Sequence, residues 1–314
     1  MTLTVLVAGV VVIAPASSAP TVEPVAKIKV GIQSGLVLSA AGSIWTSDLV
    51  IPRLVRIDPA ANAITRRMKV GPHPFGLAYG AGSVWVSDRS LNRLSRVSPR
   101  TNRVLKRIKI GYASYGLAFG AGSVWVTSES DGTLRRISPK RSRVVAKIRV
   151  GSQPNGVVYA FGAIWVADLG GGRVLRIDTR RNKVTARIPM PKADWITPST
   201  DALWISSEAG EVVRLDPATL TVVARIPVGK NPLASAWIGG ELWVPNIDDG
   251  TISVIDPARN AVARTLVVGQ GPLAVAEAAS DAWISNSTDG EIWRLRGPGP
   301  RARDSRKMLS IFRD

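Results

Sequence analysis

One histidine, His73, lies in the stretch Gly71-Pro72-His73-Pro74-Phe75-Gly76. A single imidazole can serve as general acid, general base or metal ligand. It cannot fill both proton-transfer roles of an elimination by itself. Oxygen donors recur on a schedule: Asp48, Asp88, Ser128, Asp168, Ser207, Asn246 and Asn286 each follow a tryptophan by three residues. Such groups could hold Ca²⁺ or Mg²⁺, yet Asp and Asn at strand ends commonly bond turn backbone instead. The structural role is preferred, and no metal or cofactor is assigned. A third set is more suggestive. Phe75, Tyr115 and Trp195 offer aromatic walls, with His73, Asn155 and Asp194 as polar anchors, which suits a small molecule or peptide. No Ser–His–Asp set can be assembled from one histidine, and no Gly-rich, Lys-containing phosphate loop is present. The chain has no cysteine, which excludes disulfides and thiolate-bound metal.

These residues converge only if a repeat brings them together. Trp45, Trp85, Trp125, Trp165, Trp204, Trp243 and Trp283 return at intervals of 39 or 40 residues. Around each lie four short apolar runs broken by Gly, Pro, Asn and Asp; in one repeat they are 76–79, 84–86, 94–97 and 104–110. Runs of this length with such breaks predict strands, and no window carries an extended helical period. Four antiparallel strands per forty residues is the make-up of a propeller blade. The expected fold is therefore all-β, a seven-bladed β-propeller. The tryptophan sits in a strand covered on both faces by neighbouring blades. Burying an indole of ~150–250 Å² contributes ~4–6 kcal/mol gross.

Strand counting predicts how the ring closes. Fourth strands are expected at 27–30, 64–70, 104–110, 144–150, 184–190, 222–228 and 262–268. The first has no blade before it, and the last blade has no fourth strand after it. The N-terminal strand should therefore complete the last blade beside 292–295, leaving no open sheet edge between the chain ends. In that geometry two series meet at one mouth of the axis. One precedes the opening of each first strand: Ser34, Phe75, Tyr115, Asn155, Asp194, Leu233 and Leu273. The other is the series three after each tryptophan. Trp195 replaces the glycine found at 76, 116 and 156, while Trp237 aligns with Tyr79, Phe119 and Tyr159 and is expected in the core.

The motifs Val-Gly-x-x-Pro-x-Gly-Leu-Ala, Gly-Ser-Val-Trp-Val and Arg-Ile-Asp-Pro, carried at 70–78, 82–86 and 56–59, resemble those of YVTN-type and virginiamycin B lyase-like seven-bladed propellers. The resemblance spans about 25–296 and rests mostly on scaffold residues. It implies the fold. Lyases of that group open a cyclic depsipeptide by elimination, with a divalent metal, a His in the first series and a Glu in the second. Here no first-series residue is His and no second-series residue is Glu. This favours a binding or interaction module over a carbon–oxygen lyase, or a hydrolase, acting at the same mouth.

Charge is unevenly spread over the 314 residues, whose formal net charge is +18. Residues 81–190 hold 21 Lys/Arg against 5 Asp/Glu, and 191–290 hold 6 against 12. A basic arc results, with Arg100, Arg103, Lys106, Arg107, Lys140, Arg141, Arg143, Arg180, Arg181 and Lys183 at outer blade edges. It could attract an anionic polymer or membrane surface. It lacks interleaved aromatics, so sequence-specific nucleic-acid binding is not expected. Residues 1–24 read as a signal-like or anchoring segment, because an apolar run from Leu3 is followed by small residues. Export to an extracytoplasmic location, secreted, periplasmic or membrane-anchored, is the expectation. Residues 25–296 form the propeller, and 297–314 read as a basic flexible tail opening on Gly-Pro-Gly-Pro.

Overall fold

A computed structural model describes residues 22–298, so the signal-like segment and the basic tail lie almost wholly outside the described residues. Among the described residues, 28 strands form seven separate four-stranded antiparallel sheets. Blades one to six cover 34–69, 74–109, 114–149, 154–189, 193–227 and 236–267. Blade seven covers 272–295 and takes its fourth strand from Ala26–Lys29. That strand pairs antiparallel with the third strand of blade seven, Ala26 opposite Arg294 and Lys29 opposite Glu291. The ring thus closes by joining the two ends of the chain, as strand counting predicts. Loops into first strands and out of second strands share one face, here called the mouth. The hairpins joining first to second and third to fourth strands share the other.

Second strands are buried along their length, because each is sandwiched between neighbouring blades. The seven periodic tryptophans are almost fully enclosed. Enclosure favours an acceptor for each indole N–H, and five of the seven have one, whereas Trp243 and Trp283 have none. Trp45, Trp85, Trp125 and Trp165 donate to the carbonyl five residues earlier at 2.9–3.1 Å.

An arginine lies over each of these rings, with its guanidinium carbon 5.0–5.9 Å from the ring centroid. From there several arginines reach the next blade. Arg56 donates to Pro99 O and Asn102 Oδ1, Arg136 to Thr179 O and Asn182 Oδ1, and Arg214 to Pro257 O and Asn260 Oδ1. Arg294 donates to Pro59 O and Asn62 Oδ1 at 2.8 and 2.9 Å, bridging the seam where the ring closes. The accepting asparagines turn the hairpin with positive φ, 49–55°. Asparagine tolerates that conformation better than most residues. Where the turn residue is Leu220, the matching Arg176 makes no such bridge and its Nε has no partner. In blade six Val254 replaces the third-strand arginine, and Arg264 from the facing strand covers Trp243 while bonding Glu241.

Two local readings are refined. Trp237 is half-buried rather than core: it packs edge-on to Trp204, 5.6 Å between centroids, and its Nε1 donates to Pro198 O across the blade boundary. Gly297 and Pro298, at the start of the expected tail, lie against blades seven and six, Gly297 N bonding Asp281 and Pro298 touching Gly239.

Candidate functional site

Backbone spacing at the mouth decides which side chains meet there. First strands crowd around the axis, and glycine makes this possible in blades three and four. A Cβ on Gly116 would lie 2.4 Å from Asn155 O, and one on Gly156 2.6 Å from Asp194 O. In blade five the same position is Trp195, paired in register with Ser206. The first strand of blade six beside it is short, Ala236–Ile238, and the segment before it meets its neighbours through the bridges at Pro232 and Ala234 and through bonds from the Ser206 and Thr197 hydroxyls to Leu233 O and Ser235 O.

The six anchors named from sequence divide into three groups. Phe75 and Tyr115 are in contact, with ring centroids 4.6 Å apart and planes tilted by 51°. Both rings and Trp195 pack on one apolar cluster that includes Leu233, Leu273 and Ala274. Asn155 and Asp194, each 3% exposed, form a second group: Asn155 Nδ2 donates to Asp194 Oδ1 at 2.8 Å. The Asn155 side-chain oxygen Oδ1 has no partner, which is a costly state for a buried acceptor. His73 stands apart on the exposed rim, its Nδ1 2.9 Å from Ser90 Oγ. Ser90 Oγ in turn donates to Asp88 at 3.0 Å. The order His–Ser–Asp is wrong for a hydrolytic relay, in which the carboxylate must hold the imidazole.

Five of the seven members of the oxygen-donor series have structural work; the Asn246 side-chain oxygen and both polar side-chain atoms of Asn286 are buried without partners. Asp48 accepts from the backbone N–H groups of Val50 and Ile51, Asp88 from Ser90 and Leu91, and Asp168 from Ser152 and Gln153. Ser128 and Ser207 hydroxyls donate to Tyr112 O and Pro191 O. Among the described residues no three His, Cys, Asp or Glu side chains gather as a metal site.

The same tryptophan spacing carried one residue further gives Leu49, Arg89, Glu129, Leu169, Glu208, Ile247 and Ser287. Each donates its N–H to the loop leading into its own first strand; Arg89 bonds His73 O, Glu129 bonds Ala113 O and Glu208 bonds Lys192 O. These residues rim the mouth. Arg89 lies over both Phe75 and Tyr115, 4.9 and 4.7 Å from their centroids. Glu129 accepts a hydrogen bond from Gln153, and Glu208 is 3.8 Å from Lys192.

The charges act on the buried groups beneath. Burial pushes the Asp194 carboxyl up to about 6; the Asn155 amide opposes this, and Glu208 and Glu129 add to it. Tyr115 is pushed up to about 12, by burial first and then by Asp194, with Arg89 opposing. Glu129 is also raised by burial, against the pull of Arg89 and the Gln153 hydrogen bond. The arrangement can accept hydrogen bonds from a ligand, stack against it and meet a positive group. It pairs no nucleophile with a base.

No protein-family model matches the chain, and no curated protein matches it either. Among solved structures, the chain is similar to Kuenenia stuttgartiensis hydrazine synthase, with a TM-score of 0.73 at 14% identity, covering 92% of this chain and 99% of that one. At that identity the likeness extends to the fold alone.

Proposed function

We propose that this propeller is a binding module that takes a small molecule or peptide at its mouth. One observation carries the proposal: the buried Asn155–Asp194 pair, with an acceptor oxygen left unpartnered, lies at the axis mouth with the Phe75–Tyr115 contact and Trp195. A buried polar atom without a partner can await a ligand or water; among the ten such atoms of the described residues, Asn155 Oδ1 is set apart by its place in the first-strand series that carries Phe75, Tyr115 and Asp194. A donor-bearing ligand could satisfy Asn155 Oδ1 while its apolar part covers Trp195 and the Arg89-capped rings. The motif resemblance to YVTN-type and lyase-like propellers agrees with such a role, and the signal-like N-terminal run supports an extracytoplasmic setting. Lyase chemistry is the weaker alternative. His73 is engaged with Ser90 on the rim, and the mouth glutamates stand one residue beyond the lyase position.

The test is a ligand-detected NMR screen with amides, amines and short peptides, repeated on Trp195→Ala and Asp194→Asn. Compounds that bind the mouth should lose at least tenfold in affinity in both variants, with little dependence on salt. Hits unaffected by either substitution would remove the mouth as the site. Turnover of any hit, abolished by His73→Ala, would replace the binding role with an enzymatic one.

A further inference from the structure

We propose that the outer wall of blades two to four docks a linear phosphate polyanion through its backbone charges, at a surface separate from the mouth. The five acids of 81–190 do little to offset that wall. Asp88 and Asp168 are buried and hold turn N–H groups. Asp131 is paired with Arg135 and Lys147, Asp178 binds the backbone of Arg180 and Arg181, and Glu129 faces the mouth.

Some of the 21 cations are likewise committed. Arg96, Arg136 and Arg176 cover tryptophans, and Arg89 caps the mouth rings. The fourth strands keep theirs in solvent. Arg107, Lys109, Arg149 and Arg187 are exposed and join no ion pair among the described residues. They line grooves rather than a smooth surface. One groove of about 550 Å³ is bounded by Arg93, Arg107, Lys109 and Tyr112. Another, of about 410 Å³, lies where blade three meets blade four and is bounded by Arg149, Arg173 and Arg187. Arg173 is held in place there by the buried carboxylate of Asp168, 3.0 Å away.

Alternate residues of a strand share a face at a spacing of ~6.6–6.8 Å. Arg107 and Lys109 therefore present a ladder of charge along one strand, and the next blades continue it around the wall. A flexible chain of phosphates can follow such a curved path, whereas a flat bilayer would meet only part of it. Tyr112 is the one strongly exposed aromatic of the grooves, too few to stack successive bases. This points to recognition of charge rather than of nucleobases.

The experiment measures binding of inorganic polyphosphate of defined length, by anisotropy with an end-labelled chain, from 50 to 200 mM salt. With four phosphates neutralised, the log–log slope should be about −2.8, a loss of roughly 50-fold over that range. Arg107→Glu/Arg149→Glu/Arg187→Glu should weaken binding at least tenfold at 50 mM and bring the slope above about −1. The milder Arg107→Gln/Arg149→Gln/Arg187→Gln serves if charge reversal disturbs folding. Arg66→Glu/Lys230→Glu/Arg259→Glu, with the same change in net charge elsewhere on the ring, should lose much less. Trp195→Ala should bind polyphosphate as the parent does. Equal losses in the two reversal variants would overturn the localised surface. Tighter binding to phosphatidylglycerol vesicles than to polyphosphate at matched salt would overturn the choice of a polymer.

Discussion

Replacing Arg294 by Ala tests what holds the ring shut. Its guanidinium stacks over Trp283, donates to Asp281 Oδ2 at 2.7 Å and bridges to Pro59 O and Asn62 Oδ1 in blade one. Hydrogen bonds to a charged group contribute ~1.5–3 kcal/mol each when buried. Both members of the Asp281 pair keep under a fifth of their surface exposed, so solvent screens them partly. Allowing for that and for overlap among three bonds on one group, the expected loss is about 2–4 kcal/mol. Arg176→Ala is the internal control. Arg176 keeps the stack over Trp165 but reaches no neighbouring blade, so its loss should be about 0.5–1 kcal/mol. Urea unfolding of both variants reads the difference as a shift of midpoint at constant m-value. A cycle with Asn62→Ala should give a coupling of about 1–2 kcal/mol to Arg294. Equal costs at the two arginines, or additivity with Asn62→Ala, would refute the bridge as the source of stability.

Asp194→Asn should change the pH dependence of stability. The carboxyl is raised from an ordinary 3.8 to about 6, so burial favours its neutral form. That contribution is complete below about pH 4 and is lost as the pH rises through 6; the variant should therefore gain roughly 2–3 kcal/mol on the parent between pH 4 and 7. Denaturation at intervals across that window checks it, and a pH-independent difference refutes it. Gly116→Ala should destabilise by about 1–3 kcal/mol, because its Cβ meets the backbone of blade four; an unchanged melting temperature would show that the blades are free to move apart. Trp85→Ala, at a fully enclosed ring, should cost about 3–5 kcal/mol. The same unfolding titration measures it.

The tryptophan period exposes the blade count, the strand order and the closing strand, because each depends on residues within one repeat or on an unmatched remainder. The inter-blade bridges are harder to see for a geometric reason. Arg56 bonds Pro99 and Asn102, 43 and 46 residues on, just beyond one period. Most repeats carry a donor and an acceptor in the same relative places, so the pattern does not say whether they meet within a blade or across two. The mouth presents a similar difficulty. Phe75, Tyr115, Asn155, Asp194 and Trp195 are legible because one strand-opening position recurs. Arg89 and Glu129 are not, since the neighbouring third-position series looks like the chemical one while its side chains are spent on turns. His73 draws notice by being unique, yet its ring is engaged by Ser90.

The closing strand also fixes where handles can be attached. Val25 bonds Arg294, and Pro298 touches Gly239, a residue of a first-to-second hairpin. The C-terminal end of the described chain therefore emerges beneath the disc, away from the mouth, whereas the N-terminal end leaves along blade six, Val22 N–H bonding Val267 O. A sensor-chip linker attached directly after Pro298 would leave the opening accessible, so immobilisation from that point should report the same affinity for a mouth ligand as the protein free in solution.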